Sequence, residues 1–134
     1  MSTYITEGFW HDRLQVNAQR AIFHQWAQLE ASGCIENFRI AAGEAQGFRE
    51  GWFFAESDAY KWLDAASRMI AYCTEPDAIS ERRLELAALM DQFISLLARA
   101  QDPDGYLFTY NQIHFPAPAG RTSRSNMNFT ATGI

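Results

Sequence analysis

No apolar run in this chain approaches the roughly 20 residues that a helix needs to cross a bilayer, so no membrane span is expected. The opening residues, Met1-Ser2-Thr3-Tyr4-Ile5-Thr6-Glu7, have neither a basic stretch nor an apolar core. No leader peptide is expected from them, and the reading is a cytoplasmic protein. Positive charge is scarce: the formal net charge is -5 and the pI about 5.1. Without a basic patch, nucleic acid is not expected as a partner. Cysteine is limited to Cys34 and Cys73, far apart in sequence, and the default reading is two reduced thiols. Zinc needs ligands that converge on one point, usually including a close Cys or His pair. His11, His24, His114, Cys34 and Cys73 form no such pair, so no metal site is expected in this chain.

What is present is helix. The 134 residues suffice for one small domain with a core. Aromatics make up 14% of them, so large ring surfaces must be buried. Residues 1–10 read as extended. A first helix is predicted over 11–31, with Leu14, Ala18, Ala21, Ile22, Trp26 and Leu29 on one face and Ser32-Gly33 as the stop. Residues 33–57 contain four glycines and no clear period, which reads as a long functional connection. A second helix is predicted over 58–73 and a third over 78–100. The third has a very wide apolar stripe. It is expected to be the most buried element, with Leu86, Met90, Phe93, Ile94 and Leu97 in the core. Asp102-Pro103-Asp104-Gly105 is a strong turn signal, followed by the short apolar stretch 106–110. The last stretch, 116–134, has no period and reads as an irregular tail.

The start of the second helix gathers the polar chemistry. Ser57 or Asp58 is expected to cap it through a side-chain oxygen. Glu56 and Asp58 are either an acid/base pair, if held ~5 to 9 Å apart across a sugar, or a charge cluster that suits the helix dipole. The dipole reading is favoured. Lys61, three residues after Asp58, reads as its ion-pair partner on the helix surface. His24, beside aromatics on the first helix, reads as a core or rim residue. Trp52 in the connection is balanced between core and a sugar-stacking platform. Trp52 and Asp58 are therefore the candidate substrate-binding residues, and no catalytic residue is assigned.

Several segments, in order, resemble the N-terminal part of glycoside hydrolase family 127, the β-L-arabinofuranosidase-like proteins. They are Phe9-Trp10, His24-Gln25-Trp26, Glu36-Asn37-Phe38-Arg39 with Ala41-Ala42-Gly43, the run from Phe53 through Ser57-Asp58-Ala59-Tyr60-Lys61-Trp62 to Leu63, and Pro103-Asp104-Gly105-Tyr106-Leu107. The Ser-Asp-x-Tyr-Lys-Trp run is the most specific of these. The resemblance covers about residues 8–115. It implies an all-α fold, helical hairpins forming the first part of an (α/α)6 barrel, and a parent activity of retaining hydrolysis of terminal β-L-arabinofuranosides. It further implies a zinc-bound cysteine nucleophile in the full-length family, at positions that Cys34 and Cys73 do not match.

The tail 116–134 does not resemble the family's continuation, so a truncated product or fragment, inactive alone, is expected. Three helices are too few to cover the third on both sides. A second reading is therefore a small helical interaction module that self-associates through its exposed apolar helix faces, above all the third helix.

Overall fold

The computed structural model describes residues 5–72 and 80–116, with the side chains of Ser80 and Glu81 left aside. Every regular element among them is helical. The order is α1 (Gly8–Val16), a π-helical turn (Asn17–Ala21), α2 (Ile22–Ala31), α3 (Cys34–Ala41), α4 (Glu56–Tyr72), α5 (Ser80–Ala100) and α6 (Thr109–His114). Cys73 and the tail beyond Pro116 lie outside the described residues, and with them the expectations of a reduced Cys73 thiol and of an irregular tail over 117–134.

The expected first helix exists and starts earlier than its apolar face does. Phe9-Trp10, read as extended, are helical and exposed. The Arg13 guanidinium lies 4.9 Å from the Phe9 ring centre, one helical turn away, and such pairs support a terminal turn. The backbone then runs without a break through the π turn into α2. Just beyond that turn, the Ile22 carbonyl accepts a hydrogen bond from the Trp62 indole N–H at 2.8 Å. This ties α2 to α4 and satisfies the only polar atom of a buried indole.

The long connection expected over 33–57 is half wrong. Its first part is α3, which touches α2, α4, α5 and α6. Cys34, Ile35, Asn37 and Phe38 are all buried. Eight residues are too few to be helical on propensity alone, and tertiary packing on four neighbours decides the matter. α3 is thus the most completely buried element, a place expected for the third helix.

The core centres on Phe93 of α5. Its ring lies 5.6 Å from Trp26, 5.4 Å from Phe38 and 6.4 Å from Trp62, each edge-on, the arrangement that ring quadrupoles prefer. Leu86, Leu96 and Ala100 complete the buried stripe, and Met90 and Leu97 pack half-buried against it. Ile94 is a correction: it is 48% exposed. In this chain one side of α5 is covered and the other is not, so a wide apolar stripe overstates the core.

The Asp102-Pro103-Asp104-Gly105 turn is present, closed by Gly105 N–H to the Asp102 carbonyl at 2.8 Å. The apolar stretch after it leads into α6, which the sequence reading missed. Phe93→Ala should cost about 3–5 kcal/mol of stability. Ile94→Ala should cost under about 1 kcal/mol. Urea denaturation of the two variants tests the one-sided core, and equal losses would refute it.

Candidate functional site

Between α3 and α4 the chain carries four exposed aromatics: Phe48, Trp52, Phe53 and Phe54. Exposed rings on an irregular segment would ordinarily collapse onto the nearest apolar surface. Here the backbone is pinned from both sides. Asn37, fully buried on α3, donates from Nδ2 to the Glu50 carbonyl at 2.8 Å and accepts the Glu50 N–H at 2.9 Å. The fit is close: a Cβ on Gly33 would stand 2.8 Å from the Glu50 side chain. Gly51, at φ +79, turns the chain in a conformation that favours glycine. Residues 52–55 then form a turn, closed by Ala55 N–H to the Trp52 carbonyl at 2.9 Å, which delivers the chain into α4.

Arg49 is the second pin. Its guanidinium donates to the carbonyls of Gly51 at 2.9 Å and Phe53 at 3.3 Å, and to the Thr109 hydroxyl at 3.4 Å. It also lies 5.1 Å from the centre of the Tyr110 ring. Tyr110 in turn contacts Phe53 and lies tilted against His114 at 4.7 Å. Phe53 and Phe54 of the loop therefore form one aromatic edge with Tyr110, His114 and Phe115, and Trp52 precedes Phe53 in the chain.

Glu56 is not part of an exposed acid/base pair. It is buried, and its Oε2 accepts the Thr109 N–H at 2.9 Å together with the Thr109 hydroxyl. A carboxylate on the first amide of α6 satisfies a donor that the helix cannot, at its positive end. Gln112 finishes the cap by accepting the Phe108 N–H at 2.9 Å. The Glu56 and Asp58 carboxylates are thus separated in role. Asp58 is exposed and pairs with Lys61 at 3.3 Å, the expected surface ion pair. The capping expectation is corrected: α4 begins at Glu56, which puts Ser57 and Asp58 inside its first turn.

Trp52 and Asp58 flank the start of α4, one in the turn before it and the other in its first turn. Trp52 is 75% exposed, which removes the core alternative. His24 is exposed, a rim residue. Sequence reasoning missed Asn37, Arg49 and Thr109. Only Thr109 left a signal, the Thr-x-x-Gln spacing with Gln112, which resembles a capping box.

Cys34 is buried and donates its thiol hydrogen to the Ala55 carbonyl at 3.3 Å. Burial, opposed by a backbone hydrogen bond, pushes its pKa up to about 11. Burial, reinforced by the charge of Glu56, likewise raises the Tyr60 phenol. Both groups stay protonated at neutral pH.

The family model for the β-L-arabinofuranosidase GH127 catalytic domain matches residues 3–132. The chain belongs to glycoside hydrolase family 127. It is 33% identical to the non-reducing end β-L-arabinofuranosidase of Bifidobacterium longum subsp. longum over 132 residues, covering 84% of this chain and 19% of that protein. The crystal structure of a GH127 β-L-arabinofuranosidase from Geobacillus stearothermophilus T6 superposes with a TM-score of 0.76 at 38% identity, over 87% of this chain and 18% of that one. A second GH127 β-arabinofuranosidase structure gives a TM-score of 0.64 at 33% identity, over 80% and 16%. The chain thus spans about a fifth of the length of these family members. Its helices are a part of the family's helical catalytic domain.

The described residues do not fit the zinc that the family implies. No three His, Cys, Asp or Glu side chains among them are grouped as ligands. The Cys34 thiol is held protonated against a carbonyl, whereas zinc binds thiolate.

Two outcomes test this description. Glu56→Ala leaves two buried Thr109 donors unsatisfied and should cost about 1–3 kcal/mol in urea denaturation, against little change for Asp58→Ala. Cys34 has a folded pKa above its ordinary value of 9.0, so the fold favours its protonated form. Its contribution is complete below that value and is lost as pH rises through about 11. Stability measured from pH 8 to 11 should therefore fall less steeply in Cys34→Ala than in the parent.

Proposed function

We propose that this chain supplies part of the wall of a sugar pocket in a retaining hydrolase of β-L-arabinofuranosides or related plant sugars. Trp52 and Asp58 face the substrate in that reading, and carbohydrate is the partner. The observation that carries it is the aromatic edge, exposed yet pinned, on a segment whose helices match a β-L-arabinofuranosidase at a TM-score of 0.76. Exposed, rigid rings suit the apolar faces of sugars, because little ordering remains to be done on binding. Asp58 offers a carboxylate to sugar hydroxyls once it exchanges Lys61 for them.

The chemistry itself would come from outside these residues. Glycoside hydrolysis with retention needs a nucleophile and an acid/base held together. Here the buried thiol is protonated, Glu56 is committed to Thr109, and Asp58 stands on the surface. The cytoplasm is the proposed location, and the (α/α)6 barrel the proposed complete architecture.

A second reading rests on Leu84 and Ile94, 80% and 48% exposed on α5, as a face for self-association. Sedimentation distinguishes the two: a well-behaved dimer favours an interaction module.

Purified as it stands, the 134-residue chain should not hydrolyse an aryl β-L-arabinofuranoside and should not retain stoichiometric zinc. Residues 8–115 grafted onto the remainder of the Geobacillus enzyme should restore both. In the graft, Trp52→Ala or Asp58→Ala should weaken activity mainly through KM. Zinc-dependent turnover by the short chain would overturn the reading.

A further inference from the structure

We infer that Arg49 is the positioning residue that sets Trp52 for contact with the sugar. The inference rests on the reading of Trp52 as part of the pocket wall. It starts from two of the three carbonyls that the guanidinium holds, those of Gly51 and Phe53, the third being Glu50. They bracket Trp52 in the chain. One cation therefore holds the carbonyl of the residue before and of the residue after an indole that itself remains 75% exposed.

The cation is fixed in its turn. Its Nε donates to the Thr109 hydroxyl, and that hydroxyl donates to the buried Glu56 carboxylate. The order Arg49 to Thr109 to Glu56 gives each polar hydrogen a single acceptor. Below the guanidinium plane lies the Tyr110 ring, which restricts rotation of the fork. A planar guanidinium spreads its donors over three nitrogens of a rigid fork and so reaches carbonyls and a hydroxyl that stand apart, whereas an ammonium must donate from a single nitrogen. The turn thus has a geometry set by Arg49, beyond the closing bond between Ala55 and Trp52. An indole carried on a fixed turn meets a sugar face without the ordering cost that a mobile one would incur.

The test uses the 134-residue chain carrying Trp10→Phe, which removes the other exposed indole and leaves, besides Trp52, the buried Trp62 and the partly buried Trp26. Two readouts are taken: chymotryptic cleavage after Trp52, followed by mass spectrometry, and the Trp52 emission on titration with methyl β-L-arabinofuranoside. Arg49→Gln should speed the cleavage about tenfold and abolish the emission change. Arg49→Lys should not rescue either, which separates the fork from charge alone. Tyr110→Leu should show a smaller increase in cleavage, and it guards against an Arg49→Gln that fails to fold. Slow cleavage retained in both Arg49 variants and in Tyr110→Leu overturns the inference. So does an emission change that survives Arg49→Gln. Arg49-dependent cleavage with no emission change in the parent supports the hold on the loop and overturns contact between Trp52 and the sugar in this chain, while an unchanged KM for Trp52→Ala in the graft overturns the carbohydrate reading.

Discussion

A buried carboxylate organises this part of the molecule. Glu56 opens α4 and at the same time caps α6, which lies 53 residues further along the chain. A charge in the interior is tolerable only when its oxygens are occupied, and Thr109 supplies both an amide and a hydroxyl to the same oxygen. In return the first turn of α6 gains an anion where its own donors have no partners. The starts of two helices are therefore fixed relative to one another by one side chain. Because the Thr109 hydroxyl also accepts from Arg49, the loop before α4 is drawn into the same arrangement.

That constraint explains how the aromatics divide. Trp26, Phe38 and Trp62 each meet Phe93 edge-on in the interior, Trp26 and Trp62 pack tilted on one another, and Tyr60 lies against Phe38. A second group, Phe48, Trp52, Phe53, Phe54 and Phe115, stays on the surface. The first group gains from burial and needs no polar support beyond the Trp62 indole bond to the Ile22 carbonyl. The second would gain from burial too, and polar contacts to the backbone keep it out. Asn37 and Arg49 spend buried or half-buried hydrogen-bonding capacity on a loop that contributes little to the core. Those contacts give the edge a fixed shape, which is what the proposed sugar-binding role requires.

How much of this was legible depended on range. The helices at 56–72 and 80–100 announce themselves by apolar residues three and four apart, and the Asp58–Lys61 pair follows from the same spacing. α3 was hidden because glycines follow it closely and because Asn37, the residue that matters most in it, is polar and buried. Its helical state comes from four neighbouring helices, which no local window contains. Trp52 was legible as a candidate and undecided as to burial, since nothing local says whether a loop ring turns inward. Glu56 was legible as a carboxylate at a helix start. Its true partner lies across the fold, and so the dipole it complements belongs to α6 and not only to its own helix.

A cleft elsewhere on the surface contrasts with the aromatic edge. An open cleft of about 460 Å³ lies between α3 and α5, lined by Arg39, Glu44, Asp91, Gln92, Ser95 and Arg99. Its guanidinium groups are already engaged: Arg39 pairs with Glu30 and Glu36, and Arg99 with Glu44. A ligand entering there would have to displace carboxylates that sit in bidentate contact, and would recover in exchange only what it broke. At the aromatic edge the polar groups are also engaged, but with the backbone of the edge itself, and the rings they support are exposed. Binding at the cleft competes with the fold. Binding at the edge draws on surface that the fold has left open, and the same hydrogen bonds that stabilise the loop keep that surface in place.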